Sequence, residues 1–239
     1  MKRVDVRGSS SPVPPLTTFL PLRHRGGRAP YFSEVFMLRF FGFLSALALI
    51  FAWSPARAAD APKPATAIAT FAAGCYWCVE SDFDKVKGVV ETTPGFMGGK
   101  TEKPTYQQVS SGTTGHAEVV NVIFDPAIVT YKQLLDHYWV NVDLLDAGGQ
   151  FCDRGSQYRP AIFVYNNEQR KLAEDSKKAI EDSKRFKEPV VVEINAASAF
   201  TPAPDPDFYI NSPIRYKFYR SGCGRDARLK QLWGDKAGH

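Results

Sequence analysis

Four cysteines, Cys75, Cys78, Cys152 and Cys223, are the residues whose types and spacing most directly offer chemistry. Cys75-Tyr76-Trp77-Cys78 is a C-x-x-C, which can close a disulfide across one helical turn or begin a zinc site. Zinc needs two more ligands at a sensible spacing and no second C-x-x-C follows, so no metal is expected. In an exported chain the plain alternative is a pair of structural disulfides, and for Cys152 and Cys223 it stands level with a redox role. Cys75 is set apart by its place. Ala67 to Ala73 reads as a buried strand, Gly74 ends it, and Tyr76, Val79, Phe83 and Val86 then recur at helical spacing. Cys75 therefore falls at a helix N-terminus, where free amides and the macrodipole favour a thiolate, lower the thiol pKa and create a nucleophile.

A second chemical group lies on a strand. His116 to Asp125 alternates, placing Glu118 on one face with Val120, Val122 and Phe124. A carboxyl in that apolar company should have its pKa raised by burial and keep a proton to donate.

These residues must be positioned by a larger pattern. The first helix should run past Lys85 and Lys87 to Gly88, and Val89 to Phe96 suggests a second strand. Gly98-Gly99 opens a polar loop through Gly115. Thr130 and Gln133 form a capping box ahead of Leu134, Leu135 and Tyr138. Ala161 to Tyr165 and Val190 to Ile194 read as strands. Between them Asn167 to Lys187 reads as a charged helix with Glu174–Lys178 and Glu181–Arg185 pairs. A Pro-rich tail should wrap the body, burying Phe208, Tyr209, Tyr216, Phe218 and Tyr219. Strands interleaved with helices indicate a single α/β or α+β domain.

The 239 residues carry 30 Lys/Arg and 25 Asp/Glu, a net charge of +5. Residues 1–58 hold eight of the basic groups and two of the acidic ones, leaving 22 against 23 in the rest. The basicity belongs to the leader, which removes the main argument for nucleic-acid binding. After Arg39 an apolar run reaches Trp53, and Ala56-Arg57-Ala58 follows, the pattern of a secretory signal cleaved after Ala58. The run is short for a permanent membrane span. The expected organisation is an upstream extension over 1–36, a signal peptide from Met37 over 37–58, a linker over 59–66, a catalytic domain over 67–233 and a tail over 234–239. That places the mature protein outside the cytoplasm, in a bacterial periplasm, as a monomer with no stable membrane insertion.

Gly74-Cys75-Tyr76-Trp77-Cys78-Val79-Glu80 resembles the G-C-F-W-x-x-E signature of the A-type peptide methionine sulfoxide reductases. Further segments agree in order: Gly95-Phe-Met-Gly-Gly99, Pro104-Thr-Tyr106, Gly112 to Glu118, and Asp153-Arg-Gly-Ser-Gln-Tyr-Arg159. The resemblance implies a ferredoxin-like two-layer core wrapped by long coils. It also implies reduction of the S epimer of methionine sulfoxide, free or in oxidised proteins, with no bound cofactor. The residue types suit that chemistry, since a thiolate can attack a sulfoxide sulfur if the oxygen is protonated at the same time. By resemblance Cys75 is the nucleophile, Glu118 the proton donor, Tyr106 and Tyr158 the hydrogen-bond donors to the oxygen, and Asp153 a further site carboxylate. Tyr76 and Trp77 match the aromatic pair that cradles the substrate methyl; for Tyr76 a plain core role competes.

The sequence departs from the family where Tyr76 replaces Phe, where Val142-Asp143-Leu144 replaces His-Asp-Pro, and where Cys152 replaces Asn beside Asp153. The sulfenic acid formed on Cys75 must then be resolved. Cys78 is slightly favoured, Cys223 stands nearly equal, and Cys152 is third. An external dithiol, a thioredoxin-like protein, would reduce the resulting disulfide. Two other readings exist: a periplasmic C-x-x-C thiol–disulfide oxidoreductase, and an exported binding module whose cysteines are only structural.

Overall fold

The computed structural model describes residues 65–238; the expected signal peptide, its expected cleavage site and most of the expected linker lie outside them. The strands β1 (Ala67–Ala72), β2 (Val89–Met97), β3 (Ala117–Phe124) and β6 (Ala161–Val164) form the centre of a six-stranded sheet. β4 (Gly149–Gln150) and β5 (Asp153–Arg154) make a separate small hairpin. Within the main sheet the spatial order is β6-β1-β3-β2, with every neighbour antiparallel. Helix α1 (Tyr76–Phe83) follows β1, and α3 (Tyr131–Val140) follows β3. This β-α-β-β-α-β succession is the ferredoxin-like core the sequence implied. β7 (Glu193–Ala196) extends one edge in parallel with β6, and β8 (Thr201–Pro202) extends the other against β2.

Apolar alternation explains which face carries the helices. Phe71 of β1 and Val120, Val122 and Phe124 of β3 are buried in one cluster with Val79 and Phe83 of α1 and Leu134, Leu135 and Tyr138 of α3. The Phe71 and Phe83 rings stack at 4.7 Å. Removing this much apolar surface from water is the main force that fixes the layers. A smaller cluster, Met97, Val119 and Phe163, occupies the opposite face.

Several expectations shift. The first helix stops at Phe83 rather than running to Gly88, because Asp84 to Gly88 turns the chain into β2. The loop before β3 contains a short helix, α2 (Tyr106–Ser110), held by a Thr105–Gln108 capping box of the kind seen before α3. The charged helix α4 spans Asn167–Asp182, and its ion pairs are Arg170–Glu174, Lys171–Asp175 and Lys178–Asp182 rather than the two expected. The strand expected over 190–194 lies at Glu193–Ala196, where pairing with β6 is available.

The tail is the largest correction. It is a strap that leaves β8 through residues 203–207 and continues as the helices α5 (Phe208–Asn211), α6 (Pro213–Gly222) and α7 (Arg225–Trp233), and α5 and α6 contribute no fully buried residue. Phe218, expected inside, is 75 % exposed, while Phe208, Tyr209, Tyr216 and Tyr219 are partly buried. Among the described residues no helix is long and apolar enough to cross a membrane.

Candidate active site

Cys75 occupies the N-cap of α1, as the strand–glycine–helix order requires. Gly74 makes the corner at φ +87°, and a Cβ there would meet the Gln150 side chain at 2.6 Å, so the position needs glycine twice over. The Cys75 carbonyl accepts from Cys78 N at 3.1 Å, which starts the helix.

Glu118 reaches across from β3. One carboxylate oxygen accepts the Tyr76 N–H at 3.1 Å, satisfying one of the helix's free amides immediately after the cysteine. Glu118 is 2 % exposed, and burial, with Asp153, Asp205 and Cys78 adding to it, pushes its pKa up to about 8 against the opposing Tyr76 amide. The expectation of a carboxyl that keeps its proton is therefore met in direction and cause.

For Cys75 the direction reverses. Its thiol is held well above the usual range, first by burial, then by contact with Cys78 and the charge of Glu118, with Tyr219 opposing. The helix N-terminus does not outweigh the loss of solvent at 8 % exposure. Cys78 moves the other way: the Cys75 contact lowers it, burial opposes, and Arg225 and Arg220 help to lower it.

The remaining expected residues converge on the same place. Tyr106, in the first turn of α2, and Tyr158, in a 3-10 turn over Ser156–Tyr158, both have hydroxyl pKa values raised, chiefly by burial and then, among other groups, by Glu118 and Cys75. The tight β4–β5 hairpin delivers Asp153; a Cβ on Gly149 would lie 2.2 Å from its carbonyl oxygen. Burial raises the Asp153 carboxyl, opposed by a hydrogen bond from Tyr219 and by Arg225. Tyr76 is 1 % exposed and packs in the core cluster, while the Trp77 indole is partly exposed and stacks on Phe208 at 3.8 Å.

Two residues at the site were not anticipated for it, and both come from the strap. Tyr219 of α6 donates to Asp153 and hydrogen-bonds the Cys75 sulfur. Asp205 accepts from both Tyr76 and Trp77. The strap is tied to α1 and its C-terminal cap by acids to which the sequence assigned no role: Asp207 N donates to Glu80 at 3.0 Å, Arg220 and Arg225 pair with Asp82, and the Tyr209 hydroxyl donates to Asp84 at 2.5 Å. These are contacts across more than a hundred residues, and no local periodicity announces them.

The cysteines divide in pairs. Cys75 and Cys78 are free and buried, while Cys152 and Cys223 form a disulfide linking the β4–β5 hairpin to the end of α6. Asp143, which the departure from His-Asp-Pro had left without a role, is buried and pairs with Arg228 at 2.7 Å. A thiol, a buried carboxyl with a raised pKa and two tyrosine hydroxyls that feel both of them thus come together beside a partly open aromatic side chain. That set can attack a soft electrophile while donating protons to its oxygen.

The family model described as peptide methionine sulfoxide reductase matches residues 67–237. The peptide methionine sulfoxide reductase MsrA of Bacillus licheniformis is 48 % identical over 171 residues, covering 71 % of this chain and 94 % of that protein. Its namesake in Bacillus subtilis is 46 % identical over 171 residues, with 71 % and 97 % covered. Among solved structures, methionine sulfoxide reductase A of Corynebacterium diphtheriae matches at TM-score 0.56 and 28 % identity, covering 64 % of this chain and 77 % of that one.

Proposed function

Because this chain belongs to the peptide methionine sulfoxide reductase family and reduces methionine sulfoxide, we propose that Cys75 is its nucleophile, Glu118 its acid and the S epimer its substrate. The observation that carries the reading is the buried Glu118 carboxyl, bound to the first amide after Cys75, its pKa pushed up to about 8 chiefly by burial.

Cys75 sulfur bonds to the sulfoxide sulfur while Glu118 passes its proton to the oxygen, and the thiol proton passes to the Glu118 carboxylate so formed. Oxygen then transfers to Cys75. Thiol plus sulfoxide becomes sulfenic acid plus thioether, two electrons moving from Cys75 to the substrate. The raised Cys75 pKa makes protonation of the oxygen the step that draws the thiol toward attack, so thiol and acid act together. Tyr106 and Tyr158 hydrogen-bond the oxygen, and Asp153 holds Tyr219 beside the thiol. Trp77 supplies the exposed wall for the methyl group, an apolar and polarisable partner for sulfur, and Tyr76 backs that wall from the core.

Cys78 resolves the sulfenic acid: its sulfur attacks Cys75 sulfur, water leaves, and a Cys75–Cys78 disulfide remains. Contact between the two thiols, and the pairing of Cys152 with Cys223 rather than with Cys75, support Cys78 over Cys223 or Cys152. A thioredoxin-like dithiol returns the enzyme to the reduced state, with no bound cofactor needed. From the leader sequence we further propose export to the periplasm as a monomer, free of the membrane after cleavage, and repair of oxidised envelope proteins. Family membership gives no support to the thiol–disulfide oxidoreductase or binding-module readings.

Protein beginning at Ala59, reduced with a dithiol, tests the reaction on separated S and R epimers of methionine sulfoxide. Consumption of the S epimer alone is expected. Consumption of neither by folded protein would overturn the reading.

A further inference from the structure

We propose that Asp205 is a positioning residue for the sulfoxide pocket, one carboxylate of the strap clamping both aromatic side chains that follow Cys75. The inference rests on the reading of Cys75 and Glu118 given above. The Tyr76 hydroxyl donates to Asp205 Oδ1 at 2.7 Å, and the Trp77 indole N–H donates to Oδ2 at 2.8 Å. Charge-assisted bonds of this kind are stronger than neutral ones. Using both oxygens of one planar group fixes the two rings relative to each other.

The clamp is itself held rigidly. Asp205 stands between Pro204 and Pro206, which restrict the backbone on either side. Two residues before it, Ala203 N donates to Pro94 O at 2.9 Å; two residues after it, Asp207 N donates to Glu80 at 3.0 Å. Phe208 then stacks on the Trp77 ring, centroids 3.8 Å apart. The indole is thereby fixed by a hydrogen bond at its edge and a ring on its face. The clamp also explains the hydroxyl that Tyr76 adds where relatives of this kind have Phe, since Asp205 is the acceptor it needs when buried.

Which substrate epimer fits depends on where the wall for the methyl group stands relative to the acid, so a clamp on the wall acts on affinity and stereochemistry rather than on the attack itself. Asp205 has a second, electrostatic consequence. Glu118 faces Cys75 and Cys78 from the start of α1, the Tyr76 amide, Tyr106 from α2, Asp153 from β5, Tyr158 from the 3-10 turn and Asp205 from the strap. The Asp205 charge adds to that of Asp153 in disfavouring an ionised Glu118.

Two substitutions separate the clamp from the charge. In Asp205→Asn the amide oxygen can still accept from the indole while the amide nitrogen donates to the Tyr76 oxygen, so geometry survives and charge is lost. In Asp205→Ala both are lost. With the S epimer of a methionine sulfoxide peptide as probe, Asp205→Ala should raise KM by about tenfold, with kcat changed far less. It should also shift Trp77 fluorescence and weaken rejection of the R epimer. Asp205→Asn should keep KM within about threefold of wild type, a fraction of one such bond, and move the alkaline fall of kcat/KM to lower pH. Circular dichroism confirms that both variants are folded. A folded Asp205→Ala protein with unchanged KM and unchanged epimer preference would overturn the clamp. An Asp205→Asn alkaline limb that coincides with wild type would overturn the electrostatic role. If the wild-type protein reduced neither epimer, the reading of the reaction would fail instead, so the two failures are distinguishable.

Discussion

Cys75 and Glu118 rest on β1–α1 and β3, whose inward Phe71, Val120, Val122 and Phe124 are buried in the main core. The strap reaches the same site through Asp205 and Tyr219, yet α5 and α6 contribute no buried residue at all. One region is placed by apolar area removed from water, the other largely by directional polar contacts to Glu80 and Asp82 of α1 and to Asp84 just after it. The difference divides the labour of the site. Nucleophile and acid sit on the part that cannot shift without opening the core, while the pocket wall is set by a part that polar contacts hold. Helix α7 joins them: its Arg225, Leu229 and Leu232 are buried, and Arg225 donates to Ala73 O at 2.9 Å, to Asn141 O at 2.6 Å and to Asp82 at 3.2 Å.

Substitutions can break this comparison. The largest effect belongs to Cys75→Ser, which should reduce turnover of the S epimer to background while leaving the fold intact. Glu118→Gln removes the proton but keeps an acceptor for Tyr76 N, and should lower kcat/KM by about 10²–10⁴-fold. In the wild type, activity that needs protonated Glu118 should hold below pH 8 and fall as pH rises through about 8. Stability has the same sign. A carboxyl at an ordinary 4.5 unfolded and about 8 folded binds more protons when folded. Its contribution is complete below 4.5 and is lost as pH rises through about 8. Melting temperature should therefore fall from pH 5 to 8, less steeply in Glu118→Gln; a residual slope is expected from Glu80, which burial raises to about 7.

Two phenylalanines sharpen the contrast on the packing side. Phe71→Ala should cost about 3–5 kcal/mol by urea denaturation, as fully buried aromatic truncations do. Phe218→Ser on the outer side of α6 should stay within about 0.5 kcal/mol. Equal costs would mean that the strap is packed like the core.

The same division governs what the sequence reveals. Alternation over 117–124 and helical spacing after Cys75 expose the core elements because burial itself writes those periods. Glu118 was legible for that reason, standing in step with three buried apolar residues. The α2 helix carries the same capping-box signal, Thr105 with Gln108, as the helix that was recognised, but no apolar stripe beyond it. Strap residues follow no period: Phe218 looks buried by type and is exposed, while Asp205 looks like loop and grips two aromatic rings. Residue types and order also misled on the Cys75 thiol, because a helix terminus is visible in sequence and the surrounding burial is not.

A single turnover without reductant tests the central claim most directly. Protein with Cys75 and Cys78 reduced is mixed with excess S sulfoxide, quenched with an alkylating agent and mapped by peptide mass spectrometry. The account predicts one methionine formed per chain and a new Cys75–Cys78 disulfide. Methionine formation that leaves Cys75 as a free, alkylated thiol would contradict it.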